Sequence, residues 1–119
     1  MTDDQQVCLN RENFQTNIVA SFKRLWDEKK FCDVTISTEG QRTKAHKMIL
    51  SACSPVFYNL LEQSTAKQPL IKLKEVPTQH LTAILEFMYG GEVKLAQDRL
   101  PAFLITAEKL KIKGLAEDA

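Results

Sequence analysis

The sequence has 119 residues, of which 44% are hydrophobic and 26% charged, a composition that is ordinary for one soluble globular domain. Sixteen Lys and Arg residues against fifteen Asp and Glu give a net charge of +1, which leaves no field to attract nucleic acid or anionic lipid. No apolar run is long enough to span a bilayer, and the three widely spaced cysteines are typical of reduced, mostly buried thiols in an intracellular protein.

The first predicted elements are a short strand and a helix. Residues 1–6 are polar and acidic, unlike a signal peptide, and are predicted to be a disordered tail. Val7-Cys8-Leu9 is a strand pattern with no sequence neighbour to pair with. Asn10 or Asn13 can cap the helix that follows over residues 14–30. Its large apolar side chains recur at helical spacing: Phe14, Ile18, Phe22, Leu25 and Trp26.

This amphipathic helix has two interpretations. It either packs on the core of its own domain or, with the strand before it, covers a partner chain. Residues 31–115 already contain several strands and helices, so an arm outside that unit must bury its apolar side somewhere. If association buries these five large side chains, the free energy gained by two symmetric arms can exceed the cost of association, which is an estimated 4–15 kcal/mol.

The middle of the chain alternates between strand and helix patterns. A hairpin is predicted over residues 34–45, with its turn at Glu39-Gly40. A helix follows from His46 to Cys53, and Ser54-Pro55 breaks it and begins a second helix. Residues 63–69 are a polar loop.

The last third of the chain continues the same alternation. A strand is predicted over residues 70–76, followed by a helix that Thr78 caps and Gly90-Gly91 ends. A short strand over residues 92–95 precedes a helix capped by Asp98, with Lys113-Gly114 after it. The sequence therefore predicts one α+β domain over residues 7–119, in which a helical cluster is flanked by a small sheet.

Two charged residues are predicted to share one pocket. Asp33 opens the first strand of the hairpin and Lys47 lies at the start of the helix after it, and large apolar side chains flank both. A buried charge is rarely tolerated without a partner. We therefore expect Asp33 and Lys47 to form a charge pair at the edge of the core.

The sequence gives little support for catalysis, a metal site or nucleic-acid binding. If His46 and Cys53 lie on one helix they are about 10 Å apart, too far for a nucleophile and its base. The two histidines are 34 positions apart with no Cys-x-x-Cys motif, so no metal and no cofactor is expected. Three lysines alternate with apolar residues over 109–113 and are interpreted as a solvated edge. We expect a non-enzymatic domain without direct nucleic-acid or membrane contact.

Several segments closely resemble the BTB/POZ domain. They are Asp-Val-Thr-Ile at 33–36, Ala-His-Lys-Met-Ile-Leu-Ser-Ala-Cys-Ser-Pro-Val-Phe at 45–57, and the segments 83–93 and 107–115. The details are most similar to Tramtrack-type domains of arthropod transcription factors and chromatin proteins. The resemblance implies an intertwined homodimer in which the first strand crosses to pair with the partner's late strand at 93–95. It assigns these residues to the dimer interface: Val7, Leu9, Phe14, Ile18, Phe22, Leu25, Val93 and Leu95.

The resemblance also carries expectations about the charged pocket and the rest of the protein. It places Asp33 and Lys47 in a pocket near the dimer groove. It implies a nuclear location, possible pairing with other BTB domains and transcriptional co-regulators, and a DNA-binding element, often zinc fingers, elsewhere in family members. The alternative role within the family is a substrate adaptor for a Cullin-type ubiquitin ligase.

One segment departs from the Tramtrack-type pattern. That pattern usually begins Phe-x-Leu-Arg-Trp-Asn-Asn-Tyr/Phe-Gln, whereas this chain has Val-Cys-Leu-Asn-Arg-Glu-Asn-Phe-Gln at 7–15. Arg11 and Glu12 therefore replace a large apolar anchor and an amide. Because the segment is associated with assembly beyond the dimer in this subgroup, we expect a dimer with weakened or absent higher-order assembly.

Overall fold

The computed structural model describes residues 5–116, which fold into the predicted α+β arrangement. Residues 1–4 and 117–119 lie outside this range, so the predicted tail and the last three residues of the predicted domain are not described. The regular elements are α1 (Phe14–Asp27), β1 (Val34–Thr38), β2 (Gln41–Ala45), α2 (Lys47–Cys53), α3 (Pro55–Glu62), β3 (Leu70–Lys72), α4 (Thr78–Gly90), a 3₁₀ turn (Gln97–Arg99) and α5 (Leu100–Lys109).

The sheet has three strands in the order β2-β1-β3. β1 and β2 form the predicted antiparallel hairpin, in which Thr38 pairs with Gln41 across the two-residue turn. Glu39 and Gly40 have φ values of 51° and 81°, and two left-handed residues are what the favoured hairpin turn requires. β3 joins the other edge of β1 in parallel. Alternate residues of β1 are buried, which points one face of the sheet at the helices.

Ser54 explains why the α2–α3 segment is two helices. Its side-chain oxygen accepts a hydrogen bond from the Phe57 amide at 3.2 Å and thereby caps α3. The same hydroxyl donates to the Leu110 carbonyl at 2.6 Å, which ties the break to the end of α5. Pro55 occupies the first position of α3, where its missing N–H costs nothing.

The core lies between the inner face of the sheet and the helices. α4 contributes most to it, with Leu81, Ile84 and Leu85 fully buried. α5 and the turn after it add the fully buried Ile112, while the lysines at 109, 111 and 113 are exposed as the alternation predicted. Trp26 is the only buried residue of α1. The core therefore holds the last turns of α1 and leaves its first turns outside.

Several predicted boundaries differ from the structure. α1 ends at Asp27 rather than at residue 30, and β3 ends at Lys72 rather than at residue 76. The N-cap position of α4 is Pro77, and Thr78 is the first helical residue. Asp98 lies in the 3₁₀ turn, so α5 begins two residues later. These differences move ends of elements and leave their order unchanged.

The two strands predicted at residues 7–9 and 92–95 do not form within the single chain. Residues 7–9 and 92–95 have no strand assignment, and neither segment has a backbone hydrogen bond to another residue within 5–116. A strand exists only as part of a ladder, and neither segment has a ladder partner in this chain.

Candidate interaction surface

The N-terminal arm, defined here as residues 7–13, exposes apolar side chains. Val7 is 84% exposed and Leu9 is 90% exposed, and Phe14 at the start of α1 is 49% exposed. Asn13 occupies the cap position of α1 with φ 57°, and its side chain makes no capping hydrogen bond. Asn13 therefore stands at one of the two predicted cap positions but does not provide a side-chain cap. An apolar arm that contacts little of its own domain is a surface available to a partner.

α1 changes from exposed to buried along its length. Ile18, Phe22 and Leu25 are half-buried, whereas Val19 on a neighbouring face is 45% exposed. Trp26 belongs to the core of its own domain, which contradicts its inclusion among the side chains of a partner-binding arm. Its ring stacks on Tyr89 with centroids 4.7 Å apart, and its indole N–H donates to the Lys44 carbonyl at 3.2 Å.

A groove of about 840 Å³ runs between α1 and the end of α4. Val19 and Ala20 line it from α1, and Val93 lines it from the segment after α4. We call this the α1–α4 groove. Val93 and Leu95 are half-buried and pack on the core, while the backbone of residues 92–95 has no hydrogen-bonded neighbour among residues 5–116. The groove therefore borders an open strand-like edge.

The structure brings Asp33 and Lys47 together through a contact that differs from the predicted charge pair. The Asp33 Oδ1 atom accepts a hydrogen bond from the backbone N–H of Lys47 at 2.7 Å. No ion pair joins their side chains among the contacts of residues 5–116. His46, at the N-cap position of α2, makes no side-chain cap. Asp33, the residue before β1, therefore caps α2, and its carboxylate also interacts favourably with the positive end of the helix.

A buried network around His46 fixes the entry into α2. The Tyr89 hydroxyl accepts from the His46 backbone N–H at 2.9 Å and donates to the ring Nδ1 at 2.6 Å. The ring Nε2–H donates to the Lys30 carbonyl at 2.8 Å. This tautomer is the one that satisfies all three contacts. The sequence did not indicate Tyr89 as a partner of His46, because its aromatic position in α4 gave no sign of that contact.

The same network argues against a catalytic Cys/His pair. Cys32 Sγ lies 3.8 Å from His46 Nε2. The sequence had pointed to Cys53, and not to Cys32, as the candidate partner of His46. That nitrogen already donates its hydrogen to Lys30, so it has no lone pair with which to take a proton from the thiol. Burial raises the pKa of the Cys32 thiol above its ordinary value, and burial does the same for Cys53. Both changes lower the fraction of reactive thiolate.

Further exposed apolar side chains lie near the end of α1. Phe31 is 80% exposed with φ 61°, and Met48 in the first turn of α2 is 69% exposed. The Asp33–Lys47 hydrogen bond brings the segments that carry them together. Phe31 and Met48 are not among the interface residues predicted from the sequence. The only sign of an exposed position in the sequence was that each is a large apolar residue near the end of an element.

Other kinds of site receive no support from the part of the chain that is described. Residues 5–116 contain no group of three or more metal-ligating side chains. None of their helices has the length and apolar character needed to cross a bilayer.

Comparisons with known proteins agree with this fold. The family model for the BTB/POZ domain matches residues 22–119. The chain is 61% identical over 117 residues to Longitudinals lacking protein-like of Drosophila melanogaster, covering 98% of this chain and 92% of that protein. It is 49% identical over 113 residues to Protein tramtrack, alpha isoform, of the same organism, covering 95% of this chain but only 14% of that protein.

A solved structure supports the fold at low sequence identity. The BTB domain of zebrafish PATZ1 superposes with a TM-score of 0.81 at 18% identity, covering 92% of this chain and 91% of that domain. The family match begins at residue 22, so the N-terminal arm and the first turns of α1 lie outside it. The part of the chain that the family model matches thus contains the buried core.

Proposed function

The chain belongs to the BTB/POZ family, a protein-interaction fold, and we propose that it joins two copies of itself into an intertwined homodimer within a nuclear transcriptional regulator or chromatin protein. In this proposal the N-terminal arm of each copy crosses to its partner, where residues 7–9 pair with residues 93–95. The first turns of the two α1 helices pack against each other through Phe14 and Ile18, with Phe22 and Leu25 at the edge of that contact.

The observation that carries the proposal is the pair of unpaired strand-like segments. Residues 7–9 and 92–95 both have alternating apolar residues, and both lack backbone partners among residues 5–116. Exchange between two copies satisfies both segments at once and does so twice, because a two-fold interface is reciprocal. Pairing also places Val7 and Leu9 on the side where Val93 and Leu95 already pack on the core.

The exposed apolar surface is sufficient to drive this association. Covering Val7, Leu9, Phe14 and Val19, at the exposures given above, gains roughly 4–8 kcal/mol for each copy on the usual transfer scale. Two copies therefore gain roughly twice that amount, against an estimated 4–15 kcal/mol for association. Phe31 and Met48 add further apolar surface near the same helix.

Dimerisation supplies the function through bivalency. Two joined chains raise the effective concentration of whatever DNA-binding modules are attached to them. The Tramtrack-type resemblance supports such modules and a nuclear location as proposals for the whole protein. Other BTB domains and transcriptional co-regulators are the further partners that this role implies.

A disulfide between copies tests the exchanged arm. If Val7 lies opposite Leu95 and Leu9 opposite Val93, Cys8 lies opposite Lys94. Directly opposed residues of an antiparallel pair have Cα atoms about 4.5–5.5 Å apart, which a disulfide can bridge. We expect Lys94→Cys to give a covalent dimer with the native Cys8 under mild oxidation, seen on non-reducing gels and by intact mass.

Matched controls separate a specific crosslink from random oxidation. The Cys8→Ser/Lys94→Cys variant should lose the crosslink, and Lys67→Cys, in the exposed loop before β3, should not form it with Cys8. Light scattering of the unmodified chain should give twice the monomer mass at micromolar concentration. A monomer by light scattering would refute the proposal. Firm capture of a Cullin scaffold by the chain would instead favour the adaptor role.

A further inference from the structure

We propose that the outer face of the sheet is a docking site for an extended, acidic segment of a partner protein. We call this surface the basic sheet face, and its side chains come from all three strands: Thr35, Ser37, Arg42, Lys44, Leu70 and Lys72. None of them belongs to the proposed dimer interface, so the inference does not depend on the homodimer.

The strand register places these side chains on one side of the sheet. Thr35 and Ser37 alternate along β1 with buried residues, so they point away from the core. Ser37 pairs with Arg42 of β2 on one side and with Lys72 of β3 on the other. Residues paired directly across a sheet point to the same side. Arg42, Ser37 and Lys72 therefore form one row across the outer face.

A second row lies beside the first. Thr35 pairs with Lys44 of β2 and with Leu70 of β3, and the side chains of both partners are exposed. The two rows define a rectangle whose corners are three cations and one apolar residue, with two hydroxyls between them. From the usual spacings of a sheet, the Cα atom of Arg42 lies about 10 Å from that of Lys72 and about 7 Å from that of Lys44.

The positive charge of this face is not balanced within the described chain. Arg42, Lys44 and Lys72 are exposed and occur in none of the ion pairs formed within residues 5–116. None of the other side chains of the face is acidic. The net charge of the whole chain is only +1, so these three cations are a local excess that the overall composition conceals.

The acidic residues nearest to the strands in sequence have partners elsewhere. Asp33, before β1, caps α2. Glu39, in the hairpin turn, accepts a hydrogen bond from the backbone N–H of Thr78 at 3.0 Å. Glu75, after β3, pairs with Lys109 at 3.9 Å. Carboxylates for the basic sheet face must therefore come from another molecule.

The arrangement fits carboxylates carried by an extended chain. Alternate side chains of such a chain lie about 7 Å apart on one side, which is the spacing of Arg42 and Lys44. The guanidinium of Arg42 can bind a carboxylate through two parallel hydrogen bonds, and the ammonium groups act as point charges. Leu70, 42% exposed, provides a contact for one large apolar residue of the same segment. Complementary charge of this kind contributes mainly to partner choice and to the rate of encounter.

A nucleic acid fits the same face less well. Three cations neutralise three phosphates, whereas a protein that binds duplex DNA through its backbone commonly contacts about six to ten. The face contains no aromatic side chain on which a base could stack. Its apolar corner also lies where a phosphate would need a cation. The chemistry of the face therefore favours a protein segment.

Fluorescence anisotropy of the full chain with labelled peptides tests the docking site. The acidic probe is Ser-Glu-Ser-Glu-Leu-Glu-Ser-Glu, and the matched probe has Gln in place of every Glu. We expect the parent chain to bind the acidic probe about tenfold more tightly than the Gln probe at low salt, because each exposed ion pair adds a modest gain. The difference should shrink at high salt, which screens exposed charges.

Charge reversal locates the binding on the sheet. Arg42→Glu, Lys44→Glu and Lys72→Glu should each weaken binding of the acidic probe by about threefold to tenfold, and the triple variant should abolish it. The matched control is Lys113→Glu, which makes the same charge change at an exposed site beside the end of α2 and should stay within about twofold of the parent. Circular dichroism checks that each variant folds.

Four outcomes would overturn the proposal. They are failure of the parent chain to bind the acidic probe at low salt, equal binding of the Gln probe, and reversals on the sheet that act no more strongly than Lys113→Glu. The fourth is labelled duplex DNA that binds more tightly than the acidic probe and is lost in the same variants, which would assign the face to nucleic acid. Light scattering tests the homodimer separately, and a monomeric parent chain would leave the docking site unaffected.

Discussion

Replacing Asp33 by alanine, and separately Lys47 by alanine, distinguishes a helix cap from a charge pair. The Asp33 carboxylate accepts from the Lys47 backbone N–H at 2.7 Å, and the side chain of Lys47 takes no part in that contact. A hydrogen bond to a charged group contributes about 1.5–3 kcal/mol. Because Asp33 is half-buried and water can reach part of the site, we expect Asp33→Ala to lower the free energy of unfolding by about 1.5–2 kcal/mol.

Two companion variants separate the acceptor from the charge. Asp33→Asn retains an oxygen acceptor and loses the favourable interaction of the carboxylate with the start of α2, so it should cost about 0.3–1 kcal/mol. Lys47→Ala keeps the backbone N–H and should change stability by no more than about 0.5 kcal/mol. The double variant should therefore equal the sum of the single effects within about 0.5 kcal/mol.

Equilibrium urea unfolding followed by tryptophan fluorescence measures these differences. The chain has one tryptophan, and its burial against Tyr89 makes it sensitive to loss of the core. All variants are compared at one protein concentration, because unfolding of a dimer depends on concentration. If Lys47→Ala costs as much as Asp33→Ala and the double variant costs no more than either, the side chains form a coupled ion pair and the capping account is wrong.

Three further predictions concern the buried network, the core and the thiols. Tyr89→Phe should cost about 1–3 kcal/mol in urea unfolding, because it leaves the buried His46 N–H without an acceptor, and a cost near zero would contradict the network. Ile112→Ala should cost about 2–5 kcal/mol, whereas Ile105→Ala, 70% exposed, should stay within about 0.5 kcal/mol by the same measurement. Burial raises the pKa of the two half-buried cysteines, so alkylation at pH 7.5 followed by peptide mass spectrometry should label the exposed Cys8 first. Labelling of Cys32 and Cys53 should accelerate only when the pH exceeds the pKa of an ordinary thiol. Equal labelling rates for all three cysteines at neutral pH would contradict the burial of these two.

Local patterns in the sequence predicted the elements whose partners are close in the chain. The Glu39-Gly40 turn joins adjacent strands, and Ser54-Pro55 ends one helix and begins the next, so a few residues contain the information. The alternation of Leu110 and Ile112 with lysines likewise predicted which side chains would be buried. Element ends were less predictable, because the length of β3 depends on how far β1 extends beside it.

For contacts between residues far apart in the chain, the sequence did not predict which atoms would interact. The sequence indicated that Asp33 and Lys47 would meet, and it could not show that the carboxylate would bind the backbone amide instead of the ammonium group. Trp26 shared the helical spacing of the arm residues, but its position opposite Tyr89 depends on how α1 crosses α4. Periodicity identifies a face of a helix and leaves open which residue along that face reaches the core.

The two missing strands are informative because the sequence pattern and the single-chain structure disagree there. Alternation over 7–9 and 92–95 marks side chains suited to a half-buried pleated surface, and strand preference largely measures that fit. A backbone amide must find a partner wherever it is buried, and these two segments find none among residues 5–116. The other strand patterns within residues 5–116 have a neighbouring strand in the same chain, and each of them contains a strand in the structure. The disagreement is therefore confined to the two segments that exchange between copies in the proposed dimer.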